Sequence, residues 1–167
     1  CLGGIADALL LHNRRIERRV DDSVVQLHAD GPSVVRRARG YAPRPVRVPE
    51  PLRGHPAVLA VGAELKNTVC LLAGGRALVS EHIGDLKDGR VYRHFMETIH
   101  HLEKLYEVSP QLVAADMHPQ YLSTEYALRR WRGQVAGRSA VPIVRVQHHH
   151  AHVVSLLAEH GRSGPIL

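Results

Sequence analysis

Ile143-Val144-Arg145-Val146-Gln147-His148-His149-His150-Ala151-His152 is the stretch that decides how this chain is read. A short apolar run stops at a histidine cluster. Val153, Leu156 and Leu157 then continue at helical spacing until His160 and Gly161 close the pattern. A helix starting near Gln147 puts His148 and His152 on one face, four positions apart, where both imidazoles can reach a single metal ion. No Glu follows the first His, so the zinc-protease helix motif is not matched. Two histidines do not complete a set of about four ligands, so spacing alone leaves metal binding and a solvated histidine run both open. A position between an apolar strand and an amphipathic helix speaks against a tag remnant.

Working outward from that strand, the punctuation is regular. Ala57 to Gly62 reads as a buried strand ending in Gly, and Thr68 to Ala73 as a second strand. Gly74-Gly75 makes a two-residue hairpin turn into a third strand, Ala77 to Ile83. Val91 to Glu107 carries Phe95, Ile99, Leu102, Leu105 and Tyr106 at helical spacing, and Ser109-Pro110 ends it. Leu112 to Asp116 is a fourth strand. Ser123 is the expected N-cap of a helix from about Thr124 to Arg132, and Val141 to Val146 is the fifth strand. The order β-β-β-α-β-α-β-α predicts an α/β unit of the ribonuclease H-like kind, the half-domain duplicated in actin-like ATPases.

Upstream, the apolar run Ile5 to His12 is too short to assign by period, and Asn13 opens a turn towards Ile16 to Val20. Ser23 to His28 alternates as a strand, Asp30-Gly31-Pro32 turns, and Ser33 to Arg37 pairs back. Pro43, Pro45, Pro49, Pro51 and Pro56 follow, a density that resists regular structure. The expected organisation is therefore one unit over residues 1–47, a linker over 48–56 and a second unit over 57–167. The start at Cys1 and the apolar close Gly164-Pro165-Ile166-Leu167 read as cuts through something larger.

The totals narrow the class. No apolar run approaches the ~18 residues needed to span a membrane, and no basic-then-apolar start suggests secretion. Two cysteines do not make a disulfide framework, so a reducing cytoplasm is expected. The net charge of +6 sits largely in Arg14-Arg15…Arg18-Arg19 and in Arg36-Arg37…Arg39…Arg44…Arg47. Arginine without interleaved aromatics lacks stacking platforms, so no nucleic-acid partner is expected. A solvated basic face is the plain reading, and bidentate phosphate recognition is the functional one for the second cluster.

In sheets of this kind ligands gather at the carboxyl ends of the strands. Three stretches arrive there: Gly62 to Thr68, Asp116-Met117-His118-Pro119, and the histidine cluster. Lys66, Asn67 and Thr68 are good donors to a phosphate oxygen, or simply the polar residues of a turn. Asp116 ends a strand beside His118, and the pair can touch a metal, orient a ligand or merely satisfy the strand end. Glu64 and Asp116 also permit a two-metal nuclease, but that needs further carboxylates, and imidazoles suit one transition metal better than Mg²⁺.

Together these motifs resemble the HypF carbamoyltransferase family, which matures [NiFe]-hydrogenases. The matching segments are Ala60 to Thr68, His82-Ile83-Gly84-Asp85-Leu86, Asp116 to Thr124 and Val146 to His152. Ala8 to Arg14, Asp21 to Val25 and Arg36 to Pro43 are similar to the end of its YrdC-like domain. The resemblance implies carbamoyl phosphate and ATP as substrates, carbamoyl adenylate as intermediate, and the C-terminal cysteine of HypE as acceptor. It implies a divalent transition metal, Fe or Zn, held by His148 and His152 in a TsaD-like domain, with Lys66, Asn67 and Thr68 on the phosphate. Ser23, Arg37 and Arg39 match positions near the nucleotide in the YrdC-like part. No residue is assigned as catalytic. Arg19-Val20 stands where the family often has a Cys before the Asp-Asp pair. The acylphosphatase and zinc-finger parts would precede Cys1, and the Asp-Gly-Thr-Gly loop and the later metal-binding Asp would follow Leu167. The segment by itself is therefore expected to lack full activity. A non-catalytic metal- or nucleotide-binding fragment of the family is the alternative.

Overall fold

The computed structural model describes residues 2–48, 54–162 and 164. Residues 49–53 of the expected linker, and the closing run from 165 onward, lie outside the described residues. Residues 2–22 contain one short 3₁₀ turn, Leu2–Gly4, and no strand. Two strands, β1 (Val24–His28) and β2 (Gly31–Arg36), form an isolated antiparallel hairpin. His28 pairs with Gly31, so Ala29-Asp30 turns the chain and Gly31-Pro32 already belongs to the return strand.

The second sheet has six strands. They are β3 (Val46–Arg47), β4 (Val58–Ala60), β5 (Cys70–Ala73), β6 (Arg76–Val79), β7 (Leu112–Asp116) and β8 (Ile143–Val146), in the spatial order β3-β6-β5-β4-β7-β8. The β4-β5-β6 meander is antiparallel, whereas β4-β7 and β7-β8 are parallel. Parallel neighbours need crossovers, which α1 (Gly89–Leu105) and α2 (Leu122–Trp131) supply. The last helix, α3 (His148–Glu159), leaves β8. The short β3 lies in the stretch expected to close the first unit, yet it pairs with β6 and so extends the second sheet.

The core forms because the helical and strand periods point at each other. On α1, Phe95, Ile99 and Leu102 make an i, i+4, i+7 stripe that is almost wholly buried. It packs with Leu59, Val61, Leu71 and Val113 of the sheet and with Tyr126 and Ala127 of α2. Phe95 meets Tyr126 edge to face, with ring centroids 5.3 Å apart at 85°. Helix α1 starts two residues earlier than its apolar period suggests. The reason is Asp88, whose carboxylate accepts from the Arg90 amide at 2.8 Å.

Helix α2 corrects the sequence reading more sharply. Ser123 is no N-cap. It lies inside the helix, fully buried, and Tyr121 occupies the cap position without a side-chain bond. The acceptor comes from elsewhere in the chain: Glu64 Oε2 takes the Leu122 N–H at 2.8 Å. Two of the four arginines of the first basic cluster are also more than a solvated face. Arg18 forms an ion pair with the buried Glu81, and Arg19 Nη2 donates to the Ile83 carbonyl at 3.4 Å.

Candidate metal and phosphate site

The carboxyl ends of β4, β7 and β8 open on one cleft of about 360 Å³. Ala60, Gly62, Ala63, Ala114 and Ala115 form its small-residue wall, and Asp116, His148, His152 and Ser155 provide its polar groups. Parallel pairing brings the groups together: Asp116 is in register with Val146, and α3 begins two residues later.

Within the cleft the two histidines converge. His152 Nε2 lies 3.1 Å from His148 Nε2. Two nitrogens bonded to one tetrahedral ion at about 2.0–2.1 Å sit roughly 3.3 Å apart, so the pair is spaced as two ligands would be. His148 Nδ1 meets Asp116 Oδ2 at 2.7 Å. A carboxylate on Nδ1 keeps that nitrogen protonated and leaves the Nε2 lone pair free, the arrangement of carboxylate–histidine–metal triads. The other Asp116 oxygen, Oδ1, accepts from the His118 amide at 2.8 Å, and Thr124 Oγ1 donates to the Asp116 carbonyl at 3.1 Å. The residues fit a metal, but only in part. Among the described residues no three His, Cys, Asp or Glu side chains form a complete ligand set. His149 and His150 are exposed and do not line the cleft.

The loop after β4 forms the opposite wall. Gly62 has φ +66°, and a Cβ there would stand 2.3 Å from the Thr68 carbonyl oxygen, so only glycine lets the loop close on itself. Asn67 is buried. Its amide nitrogen donates to the Val61 carbonyl at 2.9 Å and to the Ala63 carbonyl at 2.5 Å. Its expected role as a phosphate donor is thereby corrected: both amide hydrogens brace the loop. Lys66 is exposed, with φ +49°, and Thr68 is half-buried, so these two remain as donors. Glu64 does not face the cleft. With its carboxylate on α2, the paired-carboxylate nuclease geometry is absent.

Ser23, Arg37 and Arg39 gather elsewhere, around residues 37–44. Ser23 Oγ donates to the Arg39 carbonyl at 2.8 Å and accepts from the Ala38 amide at 2.9 Å. Arg37 Nη2 donates to the carbonyls of Tyr41 and Arg44 at 2.8 and 2.5 Å. Arg39 Nε stands 3.4 Å from Asp22 Oδ1 on the surface. None of the three lines the histidine cleft. Ser155 does line it and was not singled out in the sequence, although its place one turn beyond His152 on α3 was a usable signal.

Fold and site together define a mixed α/β domain whose parallel strands end at a cleft holding a converging pair of imidazoles. The family model described as the HypF Kae1-like domain matches residues 53–159. The chain belongs to the HypF carbamoyltransferase family. It is 47% identical to carbamoyltransferase HypF2 of Cupriavidus necator, with 99% of this chain aligned to 20% of that protein. To the HypF of Synechocystis it is 46% identical over 96% of this chain and 19% of that protein. A crystal structure of full-length HypF, in a phosphate- and nucleotide-bound form, superposes with a TM-score of 0.84 at 42% identity, covering 99% of this chain and 25% of that one. The T. kodakarensis HypF gives 0.79 at 35% identity, covering 92% of this chain and 19% of that one. The chain thus spans about a fifth of the length of the curated relatives it matches.

Proposed function

We propose that this chain supplies one side of the carbamoyl-transfer site of a HypF-type enzyme. In this reading carbamoyl phosphate is hydrolysed to carbamate and phosphate, carbamate attacks the α-phosphorus of ATP to give carbamoyl adenylate and release pyrophosphate, and the C-terminal cysteine thiolate of HypE attacks the carbamoyl carbon. A C–S bond forms, the C–O bond to the adenylate phosphate breaks, and AMP leaves. Strands β4 to β8 then belong to a ribonuclease H-like, TsaD-like lobe over residues 57–167, and residues 1–47, whose β3 edges the same sheet, are the end of a YrdC-like domain, joined through 48–56. The compartment is the cytoplasm.

The observation that carries this reading is the convergence of the His148 and His152 Nε2 atoms, with Asp116 behind His148, in a cleft faced by the Gly62 loop. His148 and His152 would hold a divalent transition metal, for which imidazole suits Fe or Zn. Such an ion supplies Lewis-acid polarisation of the carbamoyl carbonyl. The chain's own groups do the rest. Asp116 fixes the His148 tautomer and ring plane. Lys66 and Thr68, on the braced loop but outside the cleft lining, donate to phosphate oxygens, and the alanine wall leaves room for the substrate within the cleft. Ser23, Arg37 and Arg39 belong to the nucleotide side, where Arg39 can exchange Asp22 for a phosphate. Helix α3 exposes Val153, Val154 and Leu156, consistent with a segment that lacks full activity by itself.

The test uses full-length protein carrying this chain. Replacing His148 and His152 by Ala should abolish bound metal and carbamoyl transfer to HypE. Asp116→Asn should weaken metal binding about 10–100-fold while the fold survives. Unchanged metal content together with unchanged transfer in the double histidine variant would overturn the proposal.

A further inference from the structure

One face of α3 looks into the cleft. His148, Ala151, His152 and Ser155 stand at i, i+3, i+4 and i+7 on that helix, and all four line the cavity. The facing wall is alanine and glycine, so polar groups are few, and most of them are already engaged. Both side-chain oxygens of Asp116 have partners, the His118 amide and His148 Nδ1. The Nε2 atoms of His148 and His152 face each other. Ser155 differs. Its hydroxyl donates to the His152 carbonyl at 2.7 Å, a bond that runs back along the helix. That bond uses the only hydrogen the hydroxyl has, so Oγ presents lone pairs alone. Among the described residues nothing donates to it. Apart from the imidazole pair, Ser155 is the lining side chain whose acceptor is wholly unused.

The carbamoyl group carries what such an acceptor needs. Its carbonyl carbon bears NH₂ where an acetyl group bears CH₃, and the two groups are nearly equal in size. A wall of alanine and glycine admits either one, so shape separates them poorly. A hydrogen bond separates them well, because only the amino group has an N–H to give. We infer that Ser155 is a specificity-determining residue of the cleft, its Oγ accepting an N–H of the carbamoyl amino group and favouring carbamoyl over acetyl transfer. This rests on the carbamoyl-transfer reading of the site. An acetyl group in the same place leaves the hydroxyl oxygen facing a methyl group, with its lone pairs unmatched.

Two pairs of proteins isolate that oxygen. Ser155→Ala removes it from the parent at nearly constant size. Ser155→Thr and Ser155→Val share one shape and differ only in the oxygen. In full-length protein carrying this chain, carbamoyl adenylate is formed on the enzyme from carbamoyl phosphate and ATP before HypE is added. Acetyl adenylate is supplied as such. Single-turnover transfer to the HypE cysteine then gives the ratio of carbamoyl to acetyl rates. That ratio should fall about 10-fold from the parent to Ser155→Ala, and again about 10-fold from Ser155→Thr to Ser155→Val, the worth of one neutral hydrogen bond. Metal content should be the same in all four proteins. An unchanged ratio in either pair, as when both acyl groups lose equally, overturns the inference. So does acetyl transfer that stays undetectable in every variant, since the discrimination then lies elsewhere. A parent protein that transfers no carbamoyl group to HypE counts against the reading of the site itself and takes this inference with it.

Discussion

The buried carboxylate of Glu64 closes the first turn of a helix that begins 58 residues later, accepting the Leu122 amide hydrogen at 2.8 Å. The backbone carbonyl of Glu64 meanwhile accepts from the Leu86 amide at 3.1 Å. One residue therefore ties the loop after β4 both to the segment leading into α1 and to the start of α2. A carboxylate at that end also meets the positive pole of the helix.

Glu64→Ala removes this acceptor and should cost about 1–2 kcal/mol, the usual worth of a lost N-terminal cap. Glu64→Gln retains an acceptor and should lose less. Urea denaturation measures the difference, and amide exchange at Leu122 should quicken in the alanine variant alone. Equal stability of the alanine variant and the parent would remove Glu64 from this role.

Glu103 is the second place where one carboxylate holds distant parts together. It takes Arg130 Nη2 of α2 at 3.1 Å and an ion pair from Arg138 in the following loop. Glu103 and Arg130 are both buried. Breaking a buried pair by removing one partner leaves a desolvated charge, so Glu103→Gln should destabilise by about 3–5 kcal/mol. Removing both Glu103 and Arg130 in favour of Leu and Met should recover part of that loss. A cost below about 1 kcal/mol for the single variant would contradict the buried-pair account.

Cys70 reports on the sheet. Burial raises its thiol pKa from 9.0 to about 11. At pH 8 the folded protein then holds only about one thiolate in a thousand at this position, and iodoacetamide should leave Cys70 unmodified until urea unfolds the chain. Peptide mapping distinguishes it from Cys1. The folded pKa lies above the unfolded one, so the linked stability is fully present below about pH 9 and is lost as pH rises towards 11. Rapid labelling of native protein at pH 8 would contradict the burial.

Local period carried much of the sequence reading. Strand β7 runs from Leu112 to Asp116 as its apolar pattern predicts, and α3 follows β8 directly, with His148 and His152 on one face. Gly74-Gly75 turns between β5 and β6 as expected. These features depend on neighbours within a few residues, and such interactions are written in spacing. Ser123 misled because a local rule favours serine at a helix start, while a long-range acceptor had already taken that task.

What the sequence determined by itself was the family, the order of strands and helices around the cleft, and the place of His148 and His152 on one face of the helix after the last strand. Only the tertiary structure decided which polar groups remain free. Asn67 spends both amide hydrogens and Arg37 its Nη2 on nearby carbonyls, Glu64 spends its carboxylate on α2, and Asp116 divides its oxygens between the His118 backbone amide and His148. The physical reason is that a buried polar group must find a partner, and which partner is nearest depends on how the chain packs rather than on residue type.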